Sequence, residues 1–130
     1  MNDIKNKSIL IDSDVIIDHL RGIGNFGKII DNTSNNKCHI SVISIVEMYS
    51  NLFPHEYRVV EMLLSELKMV NLDIIISKLA GNYRMKFYKS HSLKIPDAVI
   101  AATAKFTNTI LVTKNLKHFP MDDIQKIVPY

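Results

Sequence analysis

The sequence predicts an α/β fold, a parallel sheet covered by helices on both faces. Short runs of β-branched and aliphatic residues alternate with longer stretches at helical spacing. The first run, residues 8–11, ends directly on Asp12-Ser13-Asp14, where helical spacing begins. A late helix carries Ala98, Ala101, Ala102 and Ala104, small residues suited to close packing on a sheet.

Taken in order, Ser8, Ile9, Leu10 and Ile11 form a short buried strand. Val15, Ile16, Ile17 and Leu20 follow at helical spacing, and Gly22 stops that helix. Residues 23–37 read as a short helix with Phe26, Ile29 and Ile30, then a polar loop over 31–36. Residues 38–43 form the second strand. A helix then opens on Ser44-x-x-Glu47, a capping-box pattern, and runs to about Asn51. After Pro54 a strongly apolar helix spans 55–68, and 69–72 form a third strand. Asp73 opens a long amphipathic helix through Ile76, Leu79, Ala80, Tyr83 and Phe87 to about Ser90. Residues 91–94 form a polar link, and Pro96 sits at the start of the alanine-rich helix. Residues 109–113 form the fourth strand, 115–120 a turn, and 124–128 the last strand.

At 130 residues, the chain can bury a core as one domain spanning 1–130. An apolar share of 47% and a charged share of 22% are those of an ordinary soluble globular chain. Cys38 is the one cysteine, which excludes a disulfide framework and a cysteine-based zinc site and fits a cytoplasmic location. No apolar run approaches the roughly 20 residues that span a bilayer. The N-terminal residues carry no apolar signal core, so neither export nor a membrane partner is expected. A net charge of +3 leans mildly towards polyanionic partners.

Three acids fall in comparable places. Asp12 ends the first strand, Glu47 lies in the first turn after the second, and Asp97 opens the helix leading to the fourth. Capping and the helix dipole account for each singly. In a parallel sheet, however, the strand C-termini share one edge, so the three are expected to converge there. Two carboxylates about 4 Å apart repel by roughly 4 kcal/mol at an effective dielectric near 20. A helix dipole offsets only about 0.3–1 kcal/mol. Such a cluster calls for a cation, and oxygen donors without cysteine favour Mg²⁺ or Mn²⁺ over zinc. Metal-assisted phosphodiester hydrolysis is the chemistry this suits.

The segments LIDSDVIIDHLRG, SVISIVEMY, IPDAVIAATA and ILVTKNLKHF, in that order, resemble the motifs of the PIN-domain superfamily. They are most similar to those of VapC-like toxins of bacterial toxin–antitoxin pairs. The resemblance implies a PIN-like three-layer α/β/α domain with about five parallel strands. It also implies an Mg²⁺- or Mn²⁺-dependent endoribonuclease, a homodimer, and a cognate antitoxin that blocks the site. Asp12, Glu47 and Asp97 match the family's principal acids as catalytic and metal-binding residues. Asp14 and Asn115 stand where many relatives differ, and each is a further candidate ligand. Because Asn115 removes a charge, one cation is favoured over two.

Thr113 fits a supporting hydroxyl role, and Ser44 is a second supporting candidate. Water, deprotonated with help from one carboxylate, would attack the scissile phosphate in line; no Ser, Cys or His nucleophile is required. Lys114, Lys117, His118 and Arg21 are candidate RNA contacts, with Lys86, Lys89 and Lys94 behind them. The segment 51–69 is more apolar than one buried face needs, which suits an antitoxin helix or a dimer contact.

Two other functions compete. An apolar strand ending in Asp12-x-Asp14 also resembles the opening of the haloacid dehalogenase superfamily, whose first Asp is a nucleophile towards phosphate. The chain is short for that family and has no matching downstream acidic loop. A non-catalytic PIN-like module binding RNA or protein is the other alternative, but binding RNA alone gains nothing from clustered negative charge.

Overall fold

A computed structural model describes residues 7–31 and 37–129. Among these residues five strands form one parallel sheet: β1 (Ile9–Ile11), β2 (Cys38–Ser41), β3 (Lys68–Val70), β4 (Ile110–Val112) and β5 (Gln125–Ile127). Their spatial order is β3-β2-β1-β4-β5. Six α-helices connect them: α1 (Ser13–Leu20), α2 (Phe26–Asp31), α3 (Val42–Tyr49), α4 (Tyr57–Leu64), α5 (Ile74–His91) and α6 (Ile95–Thr107). The expected polar loop falls on residues 32–36, outside the described residues.

The strand β1 is the axis of the sheet. Its three residues are fully buried, and alternation sends them to opposite faces. Ile9 and Ile11 join Val15, Ile16, Met48, Ile110 and Val112 in one cluster. Leu10 joins Leu111 and the buried residues of α5 and α6 in the other. Burying each such side chain contributes about 2 kcal/mol, so both faces are covered and the domain has three layers. Residues 98–104 of α6 are buried throughout. Their alanines let the helix lie close between the sheet and α5.

Because β2 and β4 flank β1, the chain order reverses at β1, with β1 and β4 paired Ile9–Ile110 through Ile11–Val112. Open parallel sheets place ligands in the crevice beyond such a reversal.

Several boundaries differ from expectation. The second strand stops at Ser41, whose hydroxyl accepts a hydrogen bond from the Ile43 N–H at 3.2 Å and caps α3. Val42 and Ile43 therefore lie in the helix; β-branching costs a helix less than about 1 kcal/mol per residue, which one cap outweighs. The capping box expected at Ser44 and Glu47 is consequently absent, since both lie inside α3. Glu56 fills that kind of role instead, accepting from the Phe53 N–H at 2.9 Å. The expected helix over 55–68 is a 3₁₀ turn at Pro54–Glu56 followed by α4, which ends at Leu64. β3 begins one residue early, at Lys68. α5 starts after the Asp73 cap as expected and ends where Ser92 turns left-handed at φ +50°. Gly22, at φ +76°, sits just past the end of α1.

Candidate active site

Asp12 leaves β1 with its backbone N–H bonded to the Val112 carbonyl at 3.0 Å, so the pairing with β4 continues to the carboxylate. One side-chain oxygen, Oδ1, accepts from the Ser13 N–H at 2.8 Å. The other, Oδ2, accepts from the Thr113 hydroxyl at 2.8 Å. The Thr113 oxygen accepts in turn from the Asn115 N–H at 3.1 Å. The ends of two adjacent strands thus hold Asp12 in one orientation, and both Asp12 and Thr113 are buried.

The other acids arrive on helices packed around that point. Asp14, in the first turn of α1, accepts from the Asn115 side-chain amide at 2.7 Å through Oδ2. Its Oδ1 is buried without a hydrogen-bond partner among the described residues. Glu47 comes from α3, which packs against both α1 and α6. The Ser13 hydroxyl reaches its Oε1 at 3.4 Å. Asp97 sits in the first turn of α6, with the His118 Nδ1 3.9 Å from its Oδ2. These four acids, with Ser13, Lys94, Pro96, Asn115 and His118, line one cavity of about 200 Å³.

Every acid of the cavity binds its proton more tightly than usual. Burial, then the Asp14 charge and more weakly that of Glu47, pushes Asp12 up to about 7 against the pull of its Thr113 and Ser13 hydrogen bonds. Burial raises Asp14, opposed mainly by Lys114. Burial and then the Asp97 charge raise Glu47. Burial raises Asp97, opposed by His118 and Lys94.

Among the described residues no three of these side chains already stand in a closed metal-ligating group. The donor set nonetheless fits a hydrated Mg²⁺ or Mn²⁺. Mg²⁺ keeps several waters and takes only one or two carboxylates directly. A cavity of this size holds such an ion, and Asp14 Oδ1 is a buried acceptor lacking a donor among the described residues. Asp12, Asp14, Glu47 and Asp97 are the residues that could hold it, and a cation would offset the cost of keeping these buried carboxylates ionised.

The sequence profile of the PIN domain matches residues 9–123. The chain belongs to the PIN domain family. Ribonuclease VapC10 of Mycobacterium tuberculosis is 34% identical over 115 residues, covering 87% of this chain and 86% of that protein. Ribonuclease VapC19 of the same organism is 29% identical over 115 residues, covering 86% and 92%. A chain of a toxin–antitoxin complex from Klebsiella pneumoniae superposes with a TM-score of 0.76 at 27% identity, over 95% of this chain and 98% of that one. DNA-bound VapBC from Salmonella typhimurium shares the fold at a TM-score of 0.80 and 21% identity, over 94% and 98%. PIN membership removes the haloacid dehalogenase alternative for Asp12-x-Asp14.

The structure brings together Asp12, Asp14, Glu47, Asp97, Asn115 and His118 in the cavity, with Thr113 behind Asp12. Ser44 is not among them. It is wholly buried in α3, and its Oγ has no hydrogen-bond partner among the described residues. Lys114 pairs with Asp18 on α1, and Lys117 lies exposed on a 3₁₀ turn at Leu116–His118, outside the cavity lining. Arg21 is held elsewhere. Its guanidinium donates to Glu56 and to the Asn51 carbonyl at 3.1 Å, and lies 5.2 Å from the Phe53 ring centroid. It ties the end of α1 to the α3–α4 connection. Lys94, a secondary candidate for RNA, also lines the cavity, whereas Ser13, hidden between two aspartates, carried little signal in the sequence.

Proposed function

We propose that this PIN protein is a divalent-metal-dependent endoribonuclease, the toxin of a toxin–antitoxin pair. The observation that carries the reading is the set of four carboxylates on one small cavity at the strand-order reversal, all raised by burial, with Asp12 and Glu47 raised further by neighbouring cavity carboxylates. A site built to bind RNA without cutting it would gain nothing from that charge. The two ribonucleases with related sequences support RNA as the substrate. When bound, Mg²⁺ or Mn²⁺ supplies charge neutralisation at a phosphate oxygen and lowers the pKa of a water.

The chain's own residues do the rest. Asp12 is fixed by Thr113 and the Ser13 N–H, so its carboxylate needs no reorganisation when it binds a cation. Glu47, the less firmly held acid, takes the proton of the attacking water. Asp97 would complete the carboxylate set for the cation, beside His118 and beside Lys94, whose ammonium group would meet the phosphate. One cation suffices, because Asn115 spends its amide on Asp14 and adds no charge.

The Klebsiella pneumoniae relative was solved as a toxin–antitoxin complex, which supports a cognate antitoxin here. Phe53, Tyr57, Val59 and Met62 around α4 remain exposed and offer it an apolar face. A homodimer acting in the cytoplasm completes the reading.

The test mixes purified protein with total RNA in Mg²⁺, Mn²⁺ or EDTA, beside Asp97→Asn. Discrete fragments that need the metal and fall about 100-fold or more in the variant are expected. Equal cleavage by Asp97→Asn would overturn the site.

A further inference from the structure

With Asp18, the four cavity acids make five carboxylates on or beside the acidic cavity. A cation of the magnesium type takes only one or two carboxylates directly, so the chain itself must answer the rest. Two lysines do so, each for different acids. Lys94 lines the cavity and opposes the burial that raises Asp97 and Glu47. Lys114 serves α1. Its ammonium pairs with Asp18, one helical turn beyond Asp14, and its charge is the strongest opposition to the burial that raises Asp14. The pair is no ordinary surface one, because the Asp18 side chain is only 14% exposed. Next in the chain, Asn115 donates its amide to Asp14 Oδ2 at 2.7 Å. The turn after β4 fixes both residues, with the Asn115 N–H on the Thr113 hydroxyl at 3.1 Å and its carbonyl accepting from the His118 N–H at 2.9 Å. In their contacts with α1, Lys114 and Asn115 are both N–H donors, which hold a carboxylate but offer nothing to a metal ion.

We propose that the Lys114 ammonium is a fixed counter-charge standing in for a second divalent cation beside Asp14 and Asp18, which confines the protein to one metal ion. The inference rests on the divalent-metal reading and specifies how many ions that site holds. Acids four residues apart on a helix have Cβ atoms about 5–6 Å apart, a spacing that one small cation can bridge. Lys114 and the Asn115 amide already hold these two acids. A lysine cannot be removed by a chelator, so Asp14 and Asp18 stay compensated when the cavity is empty, whereas Asp12 has no cationic partner of its own. A purely structural tie between α1 and the turn after β4 makes a different prediction. Cutting such a tie lowers stability and leaves the number of bound ions unchanged.

The test counts Mn²⁺ ions bound per chain in the intact protein, from the paramagnetic resonance of the free ion. The native protein is expected to bind about one ion, and Lys114→Met about two. Lys114→Arg keeps the charge and should stay at about one. Lys114→Met combined with Asp18→Asn removes both the lysine and an acid, and should return the count to about one. Lys114→Gln carries the same measurement if Lys114→Met does not fold. A count that stays at one in both Lys114→Met and Lys114→Gln, whatever their melting temperatures, would make the pair a structural tie and overturn the counter-charge alone. A count of two in the native protein would overturn it as well. Absence of Mn²⁺ binding by the native protein, with RNA cleavage indifferent to EDTA, would overturn the divalent-metal reading with it.

Discussion

Without divalent cations this protein should lose stability as the pH rises from about 4 to about 7, the opposite of the usual behaviour of paired carboxylates. Asp12 is the cause. Its carboxyl has an ordinary value of 3.8 and is pushed up to about 7 in the fold by burial first and then by Asp14. Between those values the folded state holds a proton that the unfolded chain has released. Raising the pH therefore favours unfolding until the folded carboxyl itself ionises. At roughly 1.4 kcal/mol per pH unit, the gap corresponds to about 4 kcal/mol, fully present as a penalty above pH 7. Relaxation and water entry in a real cavity would reduce it towards about 2 kcal/mol.

Thermal melts in EDTA from pH 4.5 to 8 should then show a fall of roughly 8 °C or more, at about 4 °C per kcal/mol for a chain of this size. Asp12→Asn keeps the acceptor for the Ser13 N–H and removes the charge, so its melting temperature should change little over that window and exceed the wild type at pH 8. Mg²⁺ should stabilise the wild type at pH 8 and the variant much less. A wild-type melting temperature that is flat or rises from pH 4.5 to 7.5 would refute the reasoning. An equal fall in Asp12→Asn would also refute it.

Three further outcomes follow from single contacts. Thr113→Val preserves shape but removes the buried hydroxyl that serves both Asp12 and the Asn115 N–H. Denaturant titration should show a loss of about 1–3 kcal/mol, with kcat falling more than KM rises. Asn115→Asp replaces an amide donor to Asp14 by a second charge; in EDTA it should melt below the wild type, and Mg²⁺ or Mn²⁺ should close most of that gap. Arg21→Ala breaks the link from α1 to Glu56 and Asn51, so its melting temperature should drop while KM for RNA and the salt dependence of binding stay unchanged. A raised KM would instead give Arg21 a role in holding substrate.

Much of this was legible in the sequence because α/β periodicity is written locally. β1 reads as three consecutive aliphatic residues ending on an acid, and α6 reads as Pro96 followed by small residues; both stand where expected. The boundary between β2 and α3 was not, because Val42, Ile43, Ile45 and Val46 have the composition of a strand. What decides it is the Ser41 cap together with the packing of α3 on α1 and α6, a tertiary fact. Long-range partners were equally hidden. Nothing in the order of residues says that Lys114 turns to Asp18 or Arg21 to Glu56, and each pairing takes a cation that sequence proximity had assigned to RNA.

Glu47 shows how a local explanation can compete with a role in the cavity. A Glu three residues after a Ser is explained locally by a capping box, and that explanation makes no demand on the rest of the chain. Once Ser41 takes over the cap, Glu47 sits inside the helix with no backbone donor to serve. It is half-buried beside Asp97, and its hydrogen bond from Ser13 is long at 3.4 Å. A carboxylate placed that way costs stability, and the fold supplies a cheaper alternative in any neutral residue at that position. Its presence is therefore better explained by what enters the cavity than by what folds around it.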